Sequence, residues 1–111
     1  GHLVFSTLHT NDAVQTINRI VNMFEESNRD LIRKQLSDTL RATIAQKLVY
    51  SEKNDTRYPA CEIMVVTPTI RDYIQKGNTD EIYTLLSLKK SRKLISFEYC
   101  LFSIFVKNDI N

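Results

Sequence analysis

Glycine is nearly absent from this chain, since Gly1 and Gly77 are the only two among 111 residues. A P-loop needs two glycines in the pattern Gly-x-x-x-x-Gly-Lys-Ser/Thr, and a dinucleotide-binding fold needs three glycines close together. Neither pattern can form here. If the chain takes part in nucleotide chemistry, the loop that cradles the phosphates must lie outside it.

Cysteine is equally scarce. Cys61 and Cys100 form no Cys-x-x-Cys pair. This spacing favours two structural thiols in a reducing compartment, with a disulfide or a metal site as the alternatives. Neither cysteine lies in a catalytic pattern, and no Gly-x-Ser-x-Gly elbow is present, so nucleophilic catalysis has little support.

The chain also lacks a strong charge and a long apolar run. Its formal net charge of +2 is too small to indicate a nucleic-acid or anionic-membrane partner. No apolar run reaches the roughly 18–20 residues that span a bilayer, and no signal-peptide pattern opens the sequence. With 42% hydrophobic and 25% charged residues, the composition predicts one globular domain or less, without membrane insertion.

The first half of the chain predicts a strand, two helices and a hairpin. Residues 3–8 form a short apolar run typical of a central strand, and Asn11 or Asp12 can cap the next helix. That helix is indicated by Val14, Ile17, Ile20, Val21 and Phe24. Spacing then predicts a longer helix over residues 28–49. Residues 57–66 are predicted to form an edge strand, paired with residues 48–50.

The second half predicts mainly helices. Thr67-Pro68 is a strong helix start, and the helix ends at Gly77. Thr79 begins the next helix. Residues 89–93 form a basic connector, which is either a solvated loop or an anion-binding patch. A last helix covers residues 97–107. We expect its buried face to hold Leu101, Phe102, Phe105 and Val106. The fold class is α/β, mostly helical. Because the chain opens inside a strand, it is expected to be part of a longer protein.

Two histidines lie near the start of the chain. His2 and His9 are seven residues apart on the predicted strand, about 23 Å, so one metal ion cannot bind both; no metal site is predicted. His9 follows the strand and precedes a helix N-terminus, a place suited to an anion such as phosphate. A structural loop histidine is the alternative for His9, and a structural or interface role for His2.

The opening residues carry a family resemblance. Residues 1–10, GHLVFSTLHT, resemble the His box of the secretion and pilus motor ATPases, and residues 13–21 continue it. Residues 32–48 and 61–71 are similar to the long helix and to the strand before the retraction motif of the type IV pilus retraction ATPases, the twitching-motility family. Two separated cysteines do not match the tetracysteine zinc module of assembly and type II secretion ATPases.

The resemblance implies the C-terminal fragment of a RecA-like P-loop ATPase core, followed by a C-terminal helical region. Residues 1–66 would be the rest of the core, and residues 67–111 the helical region with the retraction-type motif. The parent would be a ring of six subunits that hydrolyses ATP with Mg²⁺. The fragment alone, without Walker A and Walker B residues, should neither bind nor hydrolyse ATP.

The resemblance also implies roles for individual residues. His9 would lie near the γ-phosphate with His2 in the same box, which makes both catalytic candidates, and Thr7 and Thr10 are supporting candidates for nucleotide binding. The retraction motif of this family usually reads Ala-Ile-Arg-Asn-Leu-Ile-Arg-Glu. Of residues 69–76, which correspond to it here, only Ile70, Arg71 and Ile74 agree with this pattern. Expected partners are the pilus base or inner-membrane platform proteins, at the cytoplasmic face of the membrane. The alternatives are a pilus assembly or type II secretion ATPase, and a non-catalytic helical interaction module.

Overall fold

The computed structural model describes residues 1–88 and 94–108. The described part contains five α-helices and a three-stranded sheet. In chain order the elements are α1 (Ala13–Asn22), a 3-10 turn (Glu26–Asn28), α2 (Arg29–Thr39), β1 (Ala42–Ser51), β2 (Thr56–Val65), α3 (Pro68–Lys76), α4 (Asp80–Leu88), β3 (Leu94–Ile95) and α5 (Phe97–Asn108). The predicted α/β, mostly helical class is confirmed. The predicted basic connector, 89–93, lies outside the described residues.

The predicted long helix over residues 28–49 is wrong in its second half. Helix α2 ends at Thr39, and β1 pairs with β2 in antiparallel register from Ala42↔Val65 to Ser51↔Thr56. The apolar residues that suggested a helix are four positions apart, and this spacing also keeps side chains on one face of a strand. That face points outward, since Ile44 is 71% exposed. Strand pairing, a long-range effect, decides the structure here.

Strand β2 lies at the centre of the sheet, whose order is β1-β2-β3, so its prediction as an edge strand is wrong. The hairpin with β1 is confirmed. Pro59 is tolerated because β3 pairs only with Ile63 and Met64, which leaves this end of β2 without a neighbour on one side. Nearby, the Cys61 N–H donates to Cys100 Sγ at 3.2 Å, and both thiols are free.

Residues 3–8 do not form the predicted strand. No strand of the described residues pairs with this segment, and Phe5 is 88% exposed. A strand needs a neighbour to satisfy its backbone hydrogen-bonding groups. An apolar run alone therefore does not make a strand here.

The main core joins α1, α3 and α4 to one face of the sheet. Its buried members are Ala13, Val14, Ile17, Met64, Ile70, Ile74, Ile82, Leu86 and Leu94. Helices α1, α3 and α4 begin close to their predicted positions. Asp12 caps α1 and Thr67 caps α3, which ends at Gly77 with a φ of 75°. This left-handed conformation favours glycine, and it confirms the predicted helix end.

Helix α5 packs through a face other than the predicted one. Phe97, Cys100 and Ile104 contact Ala45, Val49 and Ala60 on the hairpin, and Lys47 Nζ lies 4.4 Å from the centre of the Phe97 ring. The four residues expected to be buried are exposed instead: Leu101, Phe102, Phe105 and Val106. Because α5 is apolar on several sides, its spacing could not identify which side packs.

Candidate functional site

The candidate site is the polar loop of residues 7–12, which leads into α1. Asp12 ends the loop as the N-cap of α1, where its Oδ1 accepts a hydrogen bond from the Gln15 N–H at 2.8 Å. The Asp12 carbonyl oxygen accepts a second bond from the Thr16 N–H at 3.0 Å. The positive end of the α1 dipole lies at this loop, and the N–H groups of Ala13, Gln15 and Thr16 already have acceptors within the chain. The predicted preference for an anion thus rests on the helix dipole alone.

The predicted site residues occupy different environments. His9 and Thr7 are exposed, whereas Thr10 is half-buried and its Oγ1 lies 2.7 Å from Thr16 Oγ1. His2 is also exposed, and no interaction joins it to His9 in the described part of the chain. The structure thus attaches Thr10 to α1 and leaves the His9 ring accessible. Within residues 1–88 and 94–108, no three His, Cys, Asp or Glu side chains cluster as metal ligands would.

Sequence reasoning missed Glu62, which reaches this loop from β2. Its side chain is only 5% exposed, and Oε1 accepts a hydrogen bond from the Ala13 N–H at 2.8 Å. Burial raises the pKa of Glu62, and the carboxylates of Asp12 and Glu98 act in the same direction. The bond from Ala13 opposes that shift but does not cancel it. A lone carboxylate among the apolar residues of a strand was the one signal that could have identified Glu62.

Tyr83 of α4 reaches the loop from the other side. Its hydroxyl lies 3.1 Å from Asp12 Oδ1 and 3.0 Å from Oδ2, and it donates to this carboxylate. Burial and the Asp12 bond raise the pKa of Tyr83 to about 12. At neutral pH the phenol therefore keeps its proton and remains a donor.

A cleft of about 560 Å³ opens beside these groups. Asp12, Glu62 and Glu98 line it with Lys47 and Tyr83. Three carboxylates against one ammonium group give the cleft a negative potential, unlike the anion-favouring start of α1. The two surfaces meet at Asp12, so this residue belongs both to the loop and to the cleft.

We expect variants of Glu62 to separate the effect of its charge on stability from the effect of its hydrogen bond. Glu62→Gln keeps an acceptor for the Ala13 N–H, whereas Glu62→Ala leaves this buried donor unpaired and should be about 1–3 kcal/mol less stable than the Gln variant. Because folding raises the pKa of Glu62, its protonated side chain stabilises the fold at pH values below the ordinary pKa of 4.5. This stabilisation is lost as the pH rises through the raised pKa.

Urea unfolding at pH 4 and at pH 7.5 measures both effects. The advantage of Glu62→Gln over the wild type should grow between the two pH values. Glu52→Gln, at the exposed turn of the hairpin, is the matched control and should be neutral. An advantage that does not change with pH would contradict the burial of a costly charge.

Two residues of the predicted retraction motif, Ile70 and Ile74, are part of the core. Ile70 and Ile74 are fully buried, so their side chains cannot contact a partner while the domain is folded. Arg71 is half-buried, and its Nε is buried without a hydrogen bond. Of the three, Arg71 alone is partly accessible.

Comparison with known proteins gives a consistent family. The model of the family described as "Type II/IV secretion system protein" matches residues 1–57. The chain is 34% identical over its whole length to the type IV pilus retraction ATPase PilT of Pseudomonas aeruginosa, of which it covers 32%. It is 32% identical over 104 residues to a twitching motility protein of Neisseria gonorrhoeae, with 94% of this chain and 28% of the relative covered.

The fold agrees with these relatives. A crystal structure of the pilus retraction motor PilT with bound ADP superposes on 93% of this chain with a TM-score of 0.72, at 31% identity, and 32% of that structure is covered. This chain spans about a third of the length of the relatives it matches. None of the helices described in residues 1–88 and 94–108 has the length and apolar character needed to cross a bilayer. Because the family model covers more than half of its residues, this chain belongs to the Type II/IV secretion system protein family.

Proposed function

We propose that this chain is the C-terminal portion of an ATP-driven motor that powers type IV pilus retraction. The observation that carries the proposal is the similarity of the whole chain, loop included, to a pilus retraction ATPase and a twitching motility protein. The family match over residues 1–57 includes the His9 loop and α1. Work by such a motor requires ATP hydrolysis, and this chain would supply one side of the ATP site.

His9 would be the residue of this chain that approaches the γ-phosphate. Its ring is exposed at the start of α1, where the positive end of the helix dipole favours an anion, and a histidine N–H can donate to a phosphate oxygen. Thr7 is exposed beside it and would assist binding, while Thr10 holds the loop against α1. His2 would act from the same box. ATP and Mg²⁺ would be bound chiefly by glycine-rich and acidic elements that this chain does not contain.

The proposed assembly is a homo-oligomeric ring, expected to contain six subunits, at the cytoplasmic face of the inner membrane. Its partners would be proteins of the pilus base or the membrane platform. Residues 1–66 would complete the ATPase core, and residues 67–111 would form the C-terminal region. Both regions contribute to one hydrophobic core, so a displacement of either would act on the other.

Gene-level experiments test this proposal directly. The coding sequence upstream of Gly1 should contain a Walker A loop. Deleting the gene should abolish twitching while pili remain assembled, and the wild-type gene should restore movement. A pilus assembly or type II secretion ATPase is the second candidate, and the family description, which names type II and type IV secretion systems, favours the secretion ATPase. Loss of surface pili, or of protein secretion, in the deletion strain would support that candidate and contradict retraction.

A further inference from the structure

Asp12 controls where the candidate loop ends and where α1 begins. Its side chain caps the Gln15 N–H at 2.8 Å, and its carbonyl oxygen accepts from the Thr16 hydroxyl at 2.8 Å. His9 precedes Asp12 by only three residues, and its own ring is exposed and forms no hydrogen bond within the described residues. The position of His9 therefore depends on how firmly Asp12 is held.

Asp12 is held by a helix that is distant in the sequence. The Tyr83 hydroxyl spans both Asp12 carboxylate oxygens from α4, which lies 71 residues further along the chain. Hydrogen bonds to a charged acceptor are stronger than neutral ones. A single phenol within reach of both oxygens also limits rotation of the Asp12 carboxylate.

Helix α4 is itself rigidly attached to α1. Ile82 and Leu86 are buried in the core that contains Val14 and Ile17. One turn before Tyr83, the Thr79 hydroxyl donates to Asn18 Oδ1 at 3.2 Å. Two polar contacts thus flank a buried apolar contact between the helices, and a shift of α4 must move Asp12.

From these contacts we propose that Tyr83 is a positioning residue, through which the C-terminal helices hold the His9 loop in the geometry required for ATP hydrolysis. The proposal rests on the function proposed above, in which His9 approaches the γ-phosphate. It deepens that function by naming a regulatory connection: displacement of α4 would release Asp12 and lower turnover. Tyr83 itself touches no substrate.

A pair of matched tyrosine variants tests this connection. Tyr83→Phe removes the bond to Asp12 and keeps the ring. Tyr50→Phe removes a chemically equivalent tyrosine–aspartate bond, of 2.7 Å to Asp55, at the turn of the hairpin. In the 111-residue chain, amide hydrogen exchange over residues 7–16 should become roughly fivefold faster in Tyr83→Phe and stay unchanged in Tyr50→Phe. Unchanged exchange in both variants would overturn the proposal.

ATP hydrolysis by the longer protein separates positioning from simple stabilisation. Tyr83→Phe should lower kcat roughly fivefold when His9 is present and cause no further loss in a His9→Ala background. An equal loss in both backgrounds would overturn positioning through His9. If His9→Ala alone leaves turnover unchanged, the proposed role of His9 fails, and hydrogen exchange still decides whether Tyr83 holds the loop.

Discussion

Replacing His9 by alanine in the longer ATPase is expected to lower kcat about 100-fold. Removing one preorganised donor to transition-state charge costs about 10²–10³ in kcat in well-studied enzymes. The structure gives His9 an accessible ring at the start of α1, and it gives this ring no structural hydrogen bond within the described residues. Its removal should therefore affect chemistry and leave the fold intact.

Two measurements define this result. Steady-state hydrolysis gives kcat and KM, and thermal unfolding of the variant should match that of the wild type. His9→Gln is the matched control, because its amide keeps an N–H donor and should retain part of the activity. Unchanged kcat in His9→Ala would remove His9 from the ATP site, and a large loss of stability would assign it a structural role.

The second large effect is expected at Ile74. Its side chain is 0% exposed and lies in the core that joins α1, β2, α3 and α4. Truncating a buried isoleucine to alanine typically costs about 2–5 kcal/mol, from lost transfer free energy and the cavity left behind. Since a domain is stabilised by only about 5–15 kcal/mol, Ile74→Ala should leave a protein close to unfolding at 37 °C.

The chain offers an internal control for this prediction. Ile44→Ala makes the same chemical change at an exposed position of β1 and should cost less than about 1 kcal/mol. Urea unfolding of both variants measures the difference, and Ile74→Val should lie between them. Equal free energies of unfolding for the two alanine variants would contradict the described core.

The result also bears on the retraction motif. Because Ile70 and Ile74 lie in the core, loss of the proposed retraction activity in an Ile74 variant would be explained by a weakened fold. Arg71 is the informative position, since it is half-buried whereas both isoleucines are fully buried. A role of the motif in recognition is therefore better sought at Arg71 than at either isoleucine.

Local signals allowed the helix starts to be predicted from sequence. The caps Asp12 and Thr67, the proline at 68 and the glycine at 77 each act within a few residues, and the structure confirms all four. Strand pairing, in contrast, does not depend on such local signals. Strand β1 exists because residues 56–65 lie beside it, and residues 3–8 remain unpaired for lack of a neighbour.

The same limit applies to the candidate site. The position of the site and the choice of His9 as a candidate were predicted from the sequence and from the resemblance of the sequence to a family. Glu62 and Tyr83 did not, because the first acts on Ala13 across 49 residues and the second on Asp12 across 71. Such contacts depend on how helices and strands pack, and no local pattern in this chain encodes them.

On the side of β2 that pairs with β3, the part of β2 that extends past β3 is protected against pairing with a strand of another chain. Alternate residues of a strand direct their N–H groups to the same side, and here Pro59 has none while that of Cys61 is taken by Cys100. Between Arg57 and β3, an incoming strand would therefore find no free N–H donor on this side of β2, which hinders strand addition there.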